Sequence, residues 1–94
     1  MKVYWSPAAG RDADEIWEYI AQDNIDAADL LAETFRAAAA RLGDFPRMGR
    51  SVRVTRTREL VIPGTSYILI HRVLRGTVQI IRVLHAKREW PSKA

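Results

Sequence analysis

The hydrophobic period of this chain changes once, near Ser51, and that change limits its architecture more than any other feature. Before it, apolar residues recur every three or four positions; after it, the apolar residues fall in strand-like runs. Ala9, Ala13, Ile16, Trp17 and Ile20 form one face of a first helix. Ser6-Pro7 opens it, a cap followed by proline at the first helical position. Asp12, Asp14 and Glu15 lie in its early turns, where negative charge suits the helix dipole. Gln22 to Asn24 break the pattern, and Asp26 is the expected cap of a second helix. Its stripe is Ala28, Leu31, Phe35, Ala38 and Leu42, narrow enough to pack along another helix. Gly43 is the expected residue just past its end, and Pro46 forbids continuation. The short connection predicts an antiparallel helical hairpin.

Around the helices the chain reads as strands. Lys2 to Trp5 is a short strand ahead of the first helix. Val52 to Thr55 and Arg58 to Ile62 form one interrupted strand or two short ones, after a loop over Phe45 to Arg50. Pro63-Gly64 marks a turn. Tyr67 to Leu74 and Thr77 to Leu84 flank Arg75-Gly76 and predict a hairpin with a two-residue loop. The expected fold class is therefore α+β, ordered β-α-α-β-β-β, with the helical hairpin packed on one face of a small antiparallel sheet. Ninety-four residues fit one domain, residues 1–94.

Composition removes several function classes. With no cysteine, disulfide scaffolds, thiolate zinc sites and cysteine nucleophiles are excluded. No apolar run approaches membrane-spanning length, and the start lacks the apolar stretch of a signal peptide, so the expected location is the cytoplasm. The charge is divided. Residues 1–44 carry four basic and nine acidic side chains, net −5; residues 45–94 carry eleven basic and two acidic, net +9. Twelve of the fifteen cations are arginine, which reads phosphate and carboxylate in a bidentate way, so an anionic partner is expected for the basic half. Arg47, Arg50, Arg53, Arg56 and Arg58 form a run that suits either a solvated edge strand or a contact with DNA or an acidic protein.

If each residue of the last hairpin pairs with the one equidistant from Arg75-Gly76, parity assigns the faces. Tyr67, Leu69, His71, Val73, Val78, Ile80, Arg82 and Leu84 share one. Ile68, Ile70, Arg72, Leu74, Thr77, Gln79, Ile81, Val83 and His85 share the other. A helical hairpin covers one face only, so Ile68, Ile70, Ile81 and Val83 are expected as a bare apolar patch suited to a partner. The same parity puts Arg72 and His85 on one face and His71 on the opposite one, so the two histidines are not expected to share a metal. Neither a metal nor a cofactor is expected. Trp17 and Phe35 are expected in the core.

The ordered set of local features resembles the RelE/ParE superfamily of toxin–antitoxin toxins, and within it the ParE branch. It comprises Trp5-Ser6-Pro7-Ala8, Asp14 through Ile20, Pro46-Arg47-Met48-Gly49-Arg50, Arg58-Glu59-Leu60, Tyr67 through Val73, Ile80 through His85 and Lys87-Arg88-Glu89-Trp90-Pro91. The resemblance spans nearly the whole chain. It implies a toxin that poisons DNA gyrase, blocks replication and is neutralised by a cognate antitoxin of ribbon-helix-helix type in a hetero-oligomer. The alternative it implies is a RelE-like ribosome-dependent mRNA endonuclease. In such nucleases an arginine follows the tyrosine that opens the third core strand; here that position is Ile68. The tyrosine that many of them carry after the basic pair has no clear counterpart, since Trp90 has no phenolic proton. His85 suits either an acid–base role or a structural one. Docking rather than catalysis is therefore the expected action, with no catalytic residue assigned. Arg72, His85, Lys87, Arg88 and Trp90 are the expected target-binding residues. Ile68, Ile70, Ile81 and Val83 are the expected antitoxin-binding residues.

Overall fold

A computed structural model describes residues 1–87. The elements are β1 (Lys2–Trp5), α1 (Pro7–Ala21), α2 (Ile25–Asp44), β2 (Arg50–Val52), β3 (Thr57–Val61), β4 (Tyr67–Leu74) and β5 (Thr77–His85). The strands form one sheet in the order β1-β5-β4-β3-β2. β1 runs parallel to β5, and every other pairing is antiparallel. The expected α+β layering holds. The sheet is mixed because the two helices carry the chain from β1 back across one face.

Local chemistry explains the helix ends. The Ser6 hydroxyl accepts from Ala9 N–H at 3.0 Å and caps α1 ahead of Pro7. The cap of α2 is Asn24 rather than Asp26: its side-chain oxygen accepts from Ala27 N–H at 3.0 Å. Gly43 does not end α2 but lies inside it. A Cβ there would sit 2.8 Å from the Met1 carbonyl oxygen, so the glycine is what lets β1 pass close to the helix.

The core lies between the helical hairpin and the sheet. Ala9, Phe35, Ala39 and Leu42 from the helices meet Ile62, Leu69, Val78, Ile80 and Val83 from the sheet side. Phe35 packs edge-on to Tyr67, with ring centroids 5.5 Å apart. Trp17 is only half-buried; its indole N–H donates to Asp29 Oδ1 at 2.9 Å and ties α1 to α2.

The last hairpin keeps the expected pairing only near its turn. His71 pairs with Ile80, Arg72 with Gln79, Val73 with Val78 and Leu74 with Thr77. Between Ile70 and His71 on β4 the register then slips by one: Ile70 pairs with Arg82, Leu69 with Val83, Ile68 with Leu84 and Tyr67 with His85. Ile81 has no partner on β4, which makes it the extra residue of a β-bulge. The bulge falls where β1 stops. Beyond Trp5, the outer edge of β5 has lost its strand neighbour and α1 supplies side chains instead. The Ser6 hydroxyl donates to the Ile81 carbonyl at 2.8 Å, and Asp12 Oδ2 accepts from Val83 N–H at 3.0 Å.

The slip exchanges the faces of everything after Ile81. Val83, expected on the bare face, packs into the helix-covered core at 2% exposure. Ile68 and Ile70 are 8% and 0% exposed and form a second small cluster with Leu84, against which the half-buried Ile81 packs. The expected bare patch of Ile68, Ile70, Ile81 and Val83 therefore does not exist in the folded chain. His85, now paired with Tyr67, lies on the face opposite to Arg72 and on the same face as His71.

Candidate functional site

The five expected target-binding residues are not gathered in one place. Arg72 is exposed near the turn end of β4, where its Nε donates to Gln79 Oε1 at 3.2 Å. His85 is exposed at the far end of β5, opposite the first residue of β4. Those positions are five residue steps apart along the strand, on the order of 17 Å at ~3.4 Å per step. Lys87 lies beside His85 in sequence and space: its backbone N–H donates to His85 Nδ1 at 3.1 Å. Arg88 and Trp90 lie outside the described residues.

The far end is a cleft of about 240 Å³ between α1 and the sheet, lined among others by Asp12, Glu15, Tyr19, Tyr67 and His85. The His85 ring stands edge-on to Tyr67, with centroids 5.4 Å apart. Below it Arg82 makes a bidentate pair with Asp12, Nε to Oδ2 at 2.6 Å and Nη2 to Oδ1 at 2.9 Å. That hydrogen bond raises the Arg82 pKa above its ordinary value, against a smaller effect of burial. Asp12 thus holds both a guanidinium and the Val83 N–H. Sequence reading assigned it to the helix dipole and missed this double role. One signal was available: Thr77 and Gln79 alternate as polar residues, but the next, Arg82, comes three positions on, a phase slip that betrays the bulge.

The turn end is different. A cleft of about 230 Å³ is lined by Arg47, Ser51, Arg56, Thr57, Arg58 and Arg72, among others. Next to it His71 is fully buried, and its Nε2 lies 3.0 Å from the Met48 carbonyl oxygen. Burial pushes the His71 pKa below its ordinary value; the bond to Met48 opposes this and the Arg58 charge adds to it. A neutral ring with its proton on Nε2 donates to Met48 and leaves Nδ1 buried without a partner among the described residues. This histidine anchors the loop between α2 and β2.

A third concavity runs between the helices. It measures about 400 Å³, with Trp5, Ile16, Trp17, Leu31 and Phe35 on its walls and Asp14 and Asp29 also lining it. No described helix is long and apolar enough to cross a membrane, and no three described His, Cys, Asp or Glu side chains are grouped to hold a metal ion.

Comparison with known proteins gives one consistent family. The model of the ParE toxin of type II toxin–antitoxin systems (parDE) matches residues 3–90. The chain is 38% identical over 90 residues to the putative toxin Y4kP of Sinorhizobium fredii, covering 96% of this chain and 93% of that protein. It is 33% identical over 87 residues to toxin RelE2 of Caulobacter vibrioides, covering 93% and 97%. It is 30% identical over 86 residues to toxin ParE1 of Mycobacterium tuberculosis, covering 89% and 88%. Among solved structures, one from the chromosomal ParDE TA system of P. aeruginosa superposes with a TM-score of 0.79 at 22% identity, over 90% of this chain and 95% of that one, and so shares the fold.

Proposed function

Because the chain belongs to the ParE toxin family of type II toxin–antitoxin systems, we propose that it docks on DNA gyrase and traps the enzyme on cleaved DNA, and that a cognate antitoxin neutralises it. The relatives carry both ParE and RelE names, so the choice between gyrase and ribosome-bound mRNA rests on this chain's own side chains. Ile68 carries the choice. It stands directly after Tyr67, the tyrosine that opens β4, where the resemblance to RNA-cutting toxins expects an arginine. Its side chain is buried against Ile70 and Leu84 and offers no charge to a phosphate.

Cleavage at a ribose 2′-hydroxyl needs a base, an acid and a cationic clamp within reach of one phosphate. Here one histidine is buried and bonded to a backbone carbonyl, and the other lies a strand's length from Arg72. Docking makes no such demand. Arg72, His85 and Lys87 with the arginine-rich strands, together with Arg88 and Trp90 beyond the described residues, supply the gyrase contact in this reading. Given the burial of Ile68, Ile70 and Val83, the antitoxin contact belongs on the helical hairpin. The groove lined by Ile16, Trp17 and Leu31 suits an apolar segment, and Asp14 and Asp29 suit basic residues beside it. A segment that orders on this groove would offset its lost entropy by apolar burial.

Two assays on the purified chain test this. With gyrase and supercoiled plasmid, stoichiometric toxin should block supercoiling and accumulate trapped breaks. With ribosome-bound mRNA, primer extension should show no new ends. Discrete mRNA cuts with gyrase untouched would replace this reading by the endonuclease one.

A further inference from the structure

The run of arginines between Arg47 and Arg58 folds into something more specific than a charged edge. The loop before β2 brings Arg47, the β2–β3 turn brings Arg56, β3 brings Arg58 and β4 brings Arg72 to line one cleft of about 230 Å³ at the turn end of the sheet, with Ser51 and Thr57 beside them; Arg58 pairs with His71, so it and Arg72 leave the sheet on opposite faces of that end. No carboxylate and no aromatic ring lines it. Among the described residues none of these four arginines has an acidic partner; Arg36, Arg50 and Arg82 are the arginines that do.

Two of the four guanidiniums are already held in place by neutral acceptors. Arg58 Nη1 donates to the Gly49 carbonyl at 3.1 Å, and Arg72 Nε donates to Gln79 at 3.2 Å. Each keeps its remaining N–H donors for a ligand, and less side-chain entropy is lost when one binds. The supports are themselves constrained. Gly49 has φ of +93°, and a Cβ there would meet the Glu59 carbonyl oxygen at 2.5 Å; Arg56 sits in a tight turn at φ of +56°.

We propose that this cleft is a binding site for the phosphodiester backbone of duplex DNA. Unpaired arginine forks match phosphate oxygens. Arg53, exposed in the β2–β3 turn, carries the positive charge on beyond the cleft, which fits a polyanion better than a single carboxylate. The lack of an aromatic ring removes the stacking platform that single strands use, whereas a duplex presents its phosphates outward and needs none. The acidic helical half repels DNA and so turns the arginine side toward it. The proposal does not require gyrase to be the target, because the contact is with DNA itself.

The test is fluorescence anisotropy of the full chain with a labelled 20-base-pair DNA duplex across a salt series. Arg47→Gln/Arg72→Gln removes two exposed side chains, and Arg11→Gln, on the exposed surface of α1, is the charge control. The double variant should bind roughly tenfold more weakly, with a log–log salt slope shallower by about 2, while Arg11→Gln binds like the parent. Circular dichroism of each variant keeps loss of fold separate from loss of contact. Absence of duplex binding by the parent at low salt overturns the proposal. So does an unchanged double variant, or an equal loss in Arg11→Gln. Tighter binding of a single-stranded RNA of the same length, or of polyglutamate, sensitive to the same two substitutions, assigns the cleft to a different ligand and overturns it as well.

Discussion

The turn end and the far end of the β4–β5 hairpin use the same two strands and the same residue type to opposite purpose. At the far end Arg82 is taken up by Asp12 of α1, which also satisfies the strand edge at Val83. At the turn end Arg72 and its neighbours Arg47, Arg56 and Arg58 have no acidic partner among the described residues. The difference is the position of the acidic helix, which reaches one end of the sheet and not the other. Net charge alone conceals it. One arginine serves the fold, and four others are left for whatever the molecule meets.

The largest way to break the contrast is to remove what both ends share. Ile80 is fully buried next to the bulge, and Ile80→Ala should cost about 3 kcal/mol in urea unfolding, with both ends lost in one transition. Asp12→Ala attacks the far end alone. It leaves the Val83 N–H and a partly exposed Arg82 unpartnered and should cost about 2 kcal/mol, while duplex binding at the other end persists in the folded fraction. Gly49→Ala attacks the turn end through its backbone. A positive φ and a clash with the Glu59 carbonyl should cost about 1–3 kcal/mol and loosen the loop that carries Arg47.

The smallest effect is a pH dependence at the turn end. His71 has its pKa lowered in the folded state by burial, so the unfolded chain takes up the proton first as pH falls. Its contribution is fully present above about pH 6.5 and is lost progressively below that value as the unfolded chain protonates. The thermal midpoint should drop between pH 7.5 and 5.5, and His71→Gln should flatten that part of the curve while lowering the midpoint at pH 7.5.

Much of this arrangement was legible in the chain. The change of period at Ser51 placed both helices and the strands from Thr57 onward, and Arg75-Gly76 placed the hairpin turn; the strand expected over Val52 to Thr55 is instead mostly the β2–β3 turn, with β2 at Arg50–Val52 ahead of it and Arg56 at a positive φ. The family resemblance stood on local features that do not depend on register. What parity could not supply was the register beyond Ile81. A single bulge moved Val83 into the core, turned His85 away from Arg72 and dissolved the expected apolar patch. Its cause is non-local. β1 ends at Trp5, and Ser6 and Asp12, some seventy residues away in sequence, complete the hydrogen bonds of β5 in its place. The arginine cleft was half legible. The run from Arg47 to Arg58 stood out, but Arg72 joins it only through the pairing of β3 with β4. The helix ends failed for smaller reasons: Asn24 outcompetes Asp26 as a cap two positions earlier, and Gly43 serves a crossing strand rather than a helix stop.

The division between structural and available arginines has one direct measurement, the thermal midpoints of Arg82→Gln and Arg72→Gln side by side at pH 7.5. Loss of the Asp12 pair should lower the first by about 4–16 °C, taking roughly 1–2 kcal/mol and about 4–8 °C per kcal/mol for a chain of this size. The second should stay within about 2 °C of the parent, as expected for an exposed side chain with a single neutral contact. Equal losses in the two variants, or a larger loss in Arg72→Gln, would contradict the division from which both the docking reading and the DNA cleft proceed.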